Sequence, residues 1–402
     1  MTNVAIMGMG VVGGGVAEIL LKNANTIKNK NGDGIQIKYV LDLRDFPGHP
    51  LEKCVVHDIN VILNDPEVTI VAELMGGAHP AYEFSLACLK AGKSVVTSNK
   101  EVVATFGDQL LQAAEENHVR YLFEASVGGG IPIIRPICQC LAANRIYAID
   151  GILNGTTNYI LTQMFKYDKS MEQALQEAQE KGYAERNPTA DIDGIDACRK
   201  IAILSALAFG VIADTNDIYT HGIRDITLTD VSDATKYGGT IKLIGSTAKT
   251  SEGISVFVCP TLVPHDSPLS SVEDVFNGIV VKGDAVGDVM FYGRGAGNLP
   301  TASAVVADMI DIMSHTDMHV VRWNKADAST FIPFDSILFP YYVRLNTTVT
   351  PVQVATALGE IQVITQTPET LSFVTTPTSL CALRAAVGNV GTIASLIRVL
   401  QP

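Results

Sequence analysis

Val4-Ala5-Ile6-Met7-Gly8-Met9-Gly10-Val11-Val12-Gly13 decides how the first third of this chain folds. Four apolar residues read as a short strand buried on both faces, and a helix pattern over residues 16–21 follows at once. Between them stands Gly-x-Gly-x-x-Gly. Alone such a triplet is weak, because a glycine turn without a ligand reads the same way. Its place directly after a strand and before a helix gives it meaning. The first glycine permits the tight turn, the second lets backbone approach a pyrophosphate, and the third lets helix and strand pack closely. The helix N-terminus adds N–H groups and partial positive charge. The pattern implies NAD or NADP as cofactor, held by Gly8, Gly10, Val11, Val12 and Gly13.

Working outward, strand patterns recur at 35–41, 68–74, 94–97 and 121–124, with apolar helices between them. Alternating strands and helices imply a parallel sheet covered on both faces, a Rossmann-type doubly wound α/β fold. Residues 23–34 are polar and rich in Asn, Lys and Gly, and read as a surface loop. Near the end of the second strand, Asp42 can accept from the ribose hydroxyls of NAD, whereas Arg44 can pair with the 2′-phosphate of NADP. The two readings oppose each other and stay open.

From about residue 131 the texture changes. Ile131-Pro132 opens a helix, 146–153 reads as a strand, and helices at 171–181 and 196–209 flank a loop containing Asn187-Pro188. Strand-like runs follow at 254–258 and 279–282. The expected organisation is a dinucleotide-binding domain over 1–130, completed by about 296–320, then an α+β substrate-binding, catalytic and oligomerisation domain over 131–295. A small C-terminal α+β domain over 340–402 begins at Tyr341-Tyr342-Val343-Arg344-Leu345.

The composition narrows the classes. With 402 residues, 47% hydrophobic and 18% charged, the chain can build two or three cores. A net charge of −13 without a basic block disfavours nucleic acid. No uncharged run reaches the length of a membrane span. The strand pattern begins almost at Met1, which leaves no room for a signal peptide, and the seven cysteines form no CxxC pair. Cys138-x-Cys140 reads as buried packing. A cytoplasmic enzyme is expected.

Five segments carry chemistry. Asp196 and Lys200 lie four apart in a helix pattern and share a face, while Ile201, Ala202, Ile203 and Leu204 turn the helix apolar beyond them. A lysine at such an edge is partly desolvated and held by its carboxylate, which suits a general acid or base; an ordinary helix salt bridge has the same spacing. Lys100, in Thr97-Ser98-Asn99-Lys100, follows the fourth strand, and ligands gather at the carboxyl ends of such strands. Glu124 precedes Val127-Gly128-Gly129-Gly130-Ile131, a turn whose carbonyl oxygens can nest a monovalent cation or simply form a hinge. Asn154-Gly155-Thr156-Thr157-Asn158 gathers small polar donors into a substrate-contacting turn. Gly293-Arg294-Gly295-Ala296-Gly297 enters a small-residue helix that can pack against a cofactor or against the sheet.

Together these segments resemble the homoserine dehydrogenase family. The matching stretches are 8–13, Ser98-Asn99-Lys100, Glu124-Ala-Ser-Val-Gly-Gly-Gly-Ile-Pro132, 154–158, 182–200 and 293–308, in the family's order. The resemblance implies a reversible NAD- or NADP-dependent hydride transfer between L-aspartate 4-semialdehyde and L-homoserine, in threonine, methionine and isoleucine biosynthesis. It makes Lys200 the proton donor to the aldehyde oxygen and Lys100 its assistant at the nicotinamide. Glu185 and Asp196 hold the substrate's ammonium group, with Asn154, Gly155, Thr156 and Tyr183 completing the substrate contacts. Thr97, Ser98, Gly182, Gly295 and Gly297 join the cofactor set. Glu124, Val127, Gly129 and Ile131 match the family's structural sodium site. A homodimer or homotetramer is implied, and a C-terminal ACT-like domain. In that domain Thr348-Val349-Thr350-Pro351-Val352 stands where an Asp-x-Pro-Gly turn is usual, which puts threonine sensing in doubt. A dehydrogenase of another small amino acid such as aspartate would share the cofactor domain without needing residues 182–200. A redox sensor binding NAD(H) without turnover would have little use for Glu185, Asp196 and Lys200.

Overall fold

The computed structural model describes residues 1–315, 321–326, 330–346, 349–388 and 390–401. Residues 316–320 of the segment expected to complete the first domain, and Thr348 of the C-terminal turn, lie outside this set. The chain forms two units: Met1–Ala143 with Ala202–Thr215 and Gly293–Lys325, and Asn144–Ile201 with Asn216–Tyr292 and Ala326–Pro402.

The first unit is built on a six-stranded parallel sheet. Its strands are β1 (Thr2–Met7), β2 (Ile35–Leu41), β3 (Val55–Val56), β4 (Val68–Glu73), β5 (Ser94–Thr97) and β6 (Tyr121–Leu122), in the order β3-β2-β1-β4-β5-β6. Val4, Ala5, Ile6 and Met7 are completely buried, as an unbroken apolar run in a central strand requires. The helices are α1 (Val11–Lys22), α2 (Ala24–Asn31), α3 (Ile59–Leu63), α4 (Ala81–Lys90) and α5 (Lys100–Glu116). Helix α2 corrects the loop expected at 23–34: one buried apolar residue, Ile27, anchors it, and left-handed Gly32 ends it. The strand expected at 121–124 stops at Leu122, because residues Glu124–Ser126 turn into a 3-10 helix. The helix expected from Ile131-Pro132 starts three residues later and continues as the π-helical turn Pro136–Cys140. On that turn Cys138 is half-buried and Cys140 exposed, not packed away as a pair.

The second unit is built on a ten-stranded mixed sheet. Strands β7 (Ile146–Ile152), β10 (Gly239–Lys249), β11 (Ile254–Pro264), β12 (Phe276–Gly283) and β13 (Gly287–Arg294) form one end, with the short β9 (Tyr219–Thr220) paired to β11. A two-residue β8 (Val211–Ile212) belongs to the first unit. Helices α6 (Gly155–Tyr167), α7 (Met171–Glu180), α8 (Thr189–Ile192) and α10 (Leu228–Tyr237) accompany the sheet, and the chain leaves this unit within α9 (Ile195–Phe209). Helix α11 (Asn298–Ser314) and strand β14 (Asn324–Lys325) return to the first unit. There the small residues of α11 pack on α1: a Cβ on Gly15 would lie 2.0 Å from Asn298 Oδ1 and 3.0 Å from the Ala302 Cβ. The small-residue face of α11 is therefore used in helix packing.

The C-terminal segment runs β15 (Leu338–Phe339), β16 (Tyr341–Asn346), α12 (Pro351–Leu358), β17 (Ile361–Gln366), β18 (Thr370–Thr375), β19 (Thr378–Ser379), α13 (Leu380–Gly388) and β20 (Thr392–Val399). Its four main strands lie antiparallel in the order β20-β16-β18-β17, a β-α-β-β-α-β arrangement. Strand β20 also pairs in parallel with β11, so these strands continue the unit's sheet. A buried polar cluster fastens them to α10. Arg344 Nε donates to Asp230 Oδ1 at 3.0 Å, and the Tyr342 hydroxyl donates to Asp230 Oδ1 at 3.1 Å and Asp233 Oδ2 at 3.0 Å. Helix α12 starts from a capping box between Thr350 and Gln353 with Pro351 in its first turn.

Candidate active site

In the first unit the glycine turn has the geometry its sequence demands. Gly8 adopts φ +92°, and a Cβ there would meet the Leu74 carbonyl at 3.0 Å. A Cβ on Gly13 would lie 2.0 Å from the Gly8 carbonyl, so only glycine lets α1 close onto the turn. A Cβ on Gly10 or Gly14 would meet nothing within 4 Å. The turn is thus closed where helix and strand meet and open where a dinucleotide would approach, which fits NAD or NADP. Val12 is half-buried and Val11 exposed beside that opening.

Asp42 and Arg44 meet directly. Arg44 Nε donates to Asp42 Oδ1 at 2.9 Å and its Nη2 to Asp42 Oδ2 at 3.0 Å, while the Met9 N–H donates to Asp42 Oδ2 at 2.8 Å. These donors hold the Asp42 carboxyl well below the usual carboxylate range. The Arg44 side chain is 62% exposed and lies over the Phe46 ring.

At the carboxyl end of β5, Thr97 is buried and its hydroxyl is bonded inward: it donates to Glu73 Oε2 and accepts from the Asn99 N–H. Asn99 caps α5 through Val102 N, which places Lys100, half-buried, in the first helical turn. Ser98 is half-buried and its carbonyl accepts from Lys100 N at 3.1 Å.

Glu124 is buried, and its carboxylate is spent within the fold. Oε1 accepts from Ile133 N at 2.7 Å and Ile134 N at 2.8 Å, and Oε2 accepts from Arg135 N at 2.7 Å. With that carboxylate engaged, main-chain oxygens are what the stretch from Glu124 through Val127 and Gly129 to Ile131 has left for a cation. Left-handed Gly128 (φ +75°) and Gly129 (φ +55°) reverse the chain between them. Among the described residues no group of three or more His, Cys, Asp or Glu could hold a metal. Gly295 is buried, its carbonyl 2.5 Å from where a Cβ on Gly129 would be, and Gly297, at φ +127°, caps α11.

In the second unit the fold gathers a buried polar cluster. Lys200 Nζ donates to Asp196 Oδ2 at 2.7 Å and to the Leu153 carbonyl at 2.8 Å. Asn154 Nδ2 donates to the same Asp196 oxygen at 2.9 Å and to Asp191 Oδ1 at 2.7 Å. Asn154 also caps α6, accepting from Thr157 N at 2.8 Å. Lys200 and Asp196 side chains are only 8% and 6% exposed, unlike an ordinary surface helix pair. The Asp196–Lys200 spacing predicted this contact, and burial is what raises it above a surface bridge. Asp191 was not singled out: nothing in a short polar loop marks which carboxylate turns inward.

Two contacts order the 182–194 segment around this cluster. The Thr156 hydroxyl donates to the Tyr183 carbonyl at 2.7 Å, and Gly194, at φ +85°, turns the chain into α9 against Thr220 and Val258. Gly155 is half-buried, and a Cβ on it would strike the Val275 carbonyl at 2.7 Å. Tyr183 is half exposed and meets the Tyr159 ring edge-on at 5.0 Å. Gly182 lies on an exposed turn at φ +72° with open space where a Cβ would be. Glu185 is exposed. Gln179 holds its carbonyl at 3.1 Å, and no described hydrogen bond brings its carboxylate to the Lys200 cluster.

Two family models match the chain: homoserine dehydrogenase over residues 132–310, and homoserine dehydrogenase, NAD binding domain, over residues 8–124. A homoserine dehydrogenase of Neisseria gonorrhoeae is 41% identical over 354 residues, 86% of this chain and 81% of that protein. The Bacillus subtilis homoserine dehydrogenase is 42% identical over 320 residues, 79% of this chain and 74% of the relative. Among solved structures, a homoserine dehydrogenase from Thiobacillus denitrificans superposes with a TM-score of 0.91 at 34% identity, covering 100% of this chain and 98% of that one. A hyperthermophilic archaeal homoserine dehydrogenase in complex with NADPH gives 0.68 at 28% identity, covering 80% and 99%.

Proposed function

The chain belongs to the homoserine dehydrogenase family, and we propose how its own residues run the NAD(P)-dependent interconversion of L-aspartate 4-semialdehyde and L-homoserine that this membership assigns to it. The bound nicotinamide supplies or accepts the hydride. Lys200 supplies the proton to the oxygen that becomes the homoserine hydroxyl, and takes it back in the reverse direction. The observation that carries this is the buried Lys200–Asp196–Asn154–Asp191 cluster. A buried ammonium is costly unless it is paired; this one is paired with Asp196 and shares that carboxylate with Asn154, so its positive charge is held in place beside the 154–158 turn. An alkoxide developing beside that ammonium is stabilised and then protonated.

We assign Asp196 first to holding Lys200, since one of its oxygens accepts from both Lys200 and Asn154. Glu185, whose carboxylate is exposed on the 182–194 segment, binds the substrate's ammonium, with Asn154, Gly155, Thr156 and Tyr183 lining the same turn. Lys100, at the start of α5, assists at the nicotinamide end. The cofactor lies along Gly8, Gly10, Val11, Val12 and Gly13 toward Asp42 and Arg44, with Thr97, Ser98, Gly295 and Gly297 around it, and Gly182 of the second unit is assigned to the same cofactor set. Sodium is held by the main-chain oxygens of Glu124, Val127, Gly129 and Ile131, the Glu124 carboxylate serving instead to fix the 133–135 backbone. The C-terminal β-α-β-β-α-β segment is an ACT-like module, and the enzyme works as a homo-oligomer in the cytoplasm.

Reduction of NAD+ and NADP+ measured with L-homoserine and with L-aspartate, at varied sodium and potassium, tests this reading. Turnover with homoserine alone is expected. Turnover with aspartate alone would replace it.

A further inference from the structure

We propose that Glu73 is a positioning residue for the nicotinamide cofactor: its buried carboxylate ties together the chain turns that follow β4 and β5, at the edge of the sheet where the glycine turn also lies. This rests on the reading that NAD or NADP binds along that edge.

The argument begins in the strand. Val68-Thr-Ile-Val-Ala-Glu73 is a central strand that ends on an acid, and Glu73 is completely buried. An ionisable group in such a place is expensive unless its lone pairs are used. Both oxygens are used here. Oε1 accepts from Met75 N at 2.8 Å, in the turn after β4, and Oε2 accepts from the Thr97 hydroxyl at 2.7 Å, at the end of β5. Thr97 in turn accepts from Asn99 N at 2.9 Å, and Asn99 Nδ2 returns to the Gly77 carbonyl at 2.8 Å. The loop of bonds is closed, and it fixes Asn99, the cap of the helix that begins with Lys100.

The place of this network is what points to the cofactor. The strand order β3-β2-β1-β4-β5-β6 reverses direction between β1 and β4, and dinucleotides bind where that reversal occurs. In register, Glu73 stands beside Met7 on one side and Thr97 on the other, and Met7 is the residue before Gly8. Leu74, next along, donates its N–H to the Met7 carbonyl at 2.8 Å, and its own carbonyl lies against Gly8. One side chain therefore touches the turn after β4 and the turn after β5, one residue from the glycine turn.

The charge state of Glu73 matters to this tie. Burial pushes its carboxyl up to about 7, while the donors from Thr97 and Met75 pull it down. The groups around it are Met7 from β1, Thr97 from β5, Met75 and Asn99 from the turns, and Tyr121 from β6, a phenol whose buried hydroxyl has no hydrogen-bond partner among the described residues. None of these carries a charge near neutrality. As an anion Glu73 accepts on both sides; once protonated, one oxygen must donate, so either the Met75 N–H loses its acceptor or the Thr97 hydroxyl must turn its own hydrogen away and accept instead. Cofactor affinity should therefore weaken as pH falls from 8 to 6.

The test measures binding of NADH or NADPH, whichever the enzyme uses, by nicotinamide fluorescence at pH 6, 7 and 8, in wild type and Glu73→Gln. The wild-type Kd should rise about tenfold from pH 8 to 6, the order expected for losing one hydrogen bond to a charged acceptor. Glu73→Gln should bind about tenfold more weakly at pH 8 and show no such slope, while kcat at saturating cofactor falls less than Kd rises. A merely structural carboxylate would lower the melting temperature and leave the wild-type slope in place. A flat wild-type profile overturns the proposal, as does a Glu73→Gln profile that overlays the wild type. If Glu73→Gln does not fold by circular dichroism, Glu73→Asp decides, because its shorter side chain cannot span both turns: wild-type affinity there overturns the proposal and weaker binding supports it. Failure of the wild type to bind either dinucleotide would sink the cofactor reading itself, and this inference with it.

Discussion

The carboxamide of Asn154 and the carboxylate of Asp196 are bonded at 2.9 Å inside the second unit, although 42 residues separate them. Asn154 ends β7's excursion toward α6 and Asp196 opens α9, so this bond sets one helix start against another. Removing the carboxamide in Asn154→Ala strips Asp191 and Asp196 of a shared donor and α6 of its cap. The expected result is a loss of about 1–2 kcal/mol of stability together with a fall in kcat of about tenfold. Thermal melts and steady-state kinetics on the same preparation check it. Wild-type kcat in a variant that melts lower would reduce Asn154 to a cap.

Lys200→Ala should lower turnover by about 10²-fold or more in both directions while NAD(P)H binding changes little, because in the proposed mechanism the ammonium acts on the substrate oxygen alone. The comparison is kcat against cofactor Kd from fluorescence titration. Undiminished turnover would take the proton from Lys200 and give it to another group.

On the proposed path of the cofactor toward Asp42 and Arg44, that pair should make the cofactor preference adjustable. A ribose diol must compete with Arg44 for the carboxylate, and a 2′-phosphate must compete with the carboxylate for Arg44. Asp42 stays ionised throughout the working pH range, since its carboxyl is held well below its ordinary value. Arg44→Ala should raise KM for NADP+ about tenfold and leave KM for NAD+ within about twofold; Asp42→Ala should do the reverse. Parallel changes in both constants would show that neither residue reads the 2′ position.

The sheet of the first unit was legible because its strands are short unbroken apolar runs, and its glycine turn because the fold closes on Gly8 and Gly13 while Gly10 stays open toward a ligand. Helix α2 was not, since eight mostly polar residues with only Ile27 buried look like a loop. Strand β10 escaped for the opposite reason. Gly239-Thr-Ile-Lys-Leu-Ile-Gly-Ser-Thr-Ala-Lys249 is buried on both faces for nine residues, so Thr240, Lys242 and Ser246 break any apolar run or alternation while still lying inside. At the site, the helical spacing of Asp196 and Lys200 was readable because it is local. The contributions of Leu153, Asn154 and Asp191 depend on α6 and α9 meeting, which no spacing records. The two roles of Glu73 and Glu124 were hidden likewise, for a carboxylate that accepts from backbone N–H groups leaves no pattern among side chains.

Lys242 supplies a pH dependence of stability with a definite sign. The residue is 2% exposed, and its ammonium is bonded only to neutral oxygens among the described residues, the Val272 carbonyl at 2.5 Å and Asn158 Oδ1 at 3.2 Å. Burial lowers its pKa from the ordinary lysine value of 10.5 to about 8. Between those values the unfolded chain binds more protons than the folded one, so this residue makes stability rise as pH goes from about 8 to about 10.5. Below pH 8 both states are protonated, and the cost of burying the charge, on the order of 3 kcal/mol, is constant. Lys242→Met removes that cost and leaves the Val272 carbonyl and Asn158 without this donor, so the two effects largely offset at pH 7. What must change is the slope: urea melts of wild type and Lys242→Met from pH 7.5 to 10 should diverge, with only the wild type gaining on its own pH 7.5 value through this group. Parallel curves over that range would mean that the ammonium at position 242 is not desolvated in the folded enzyme.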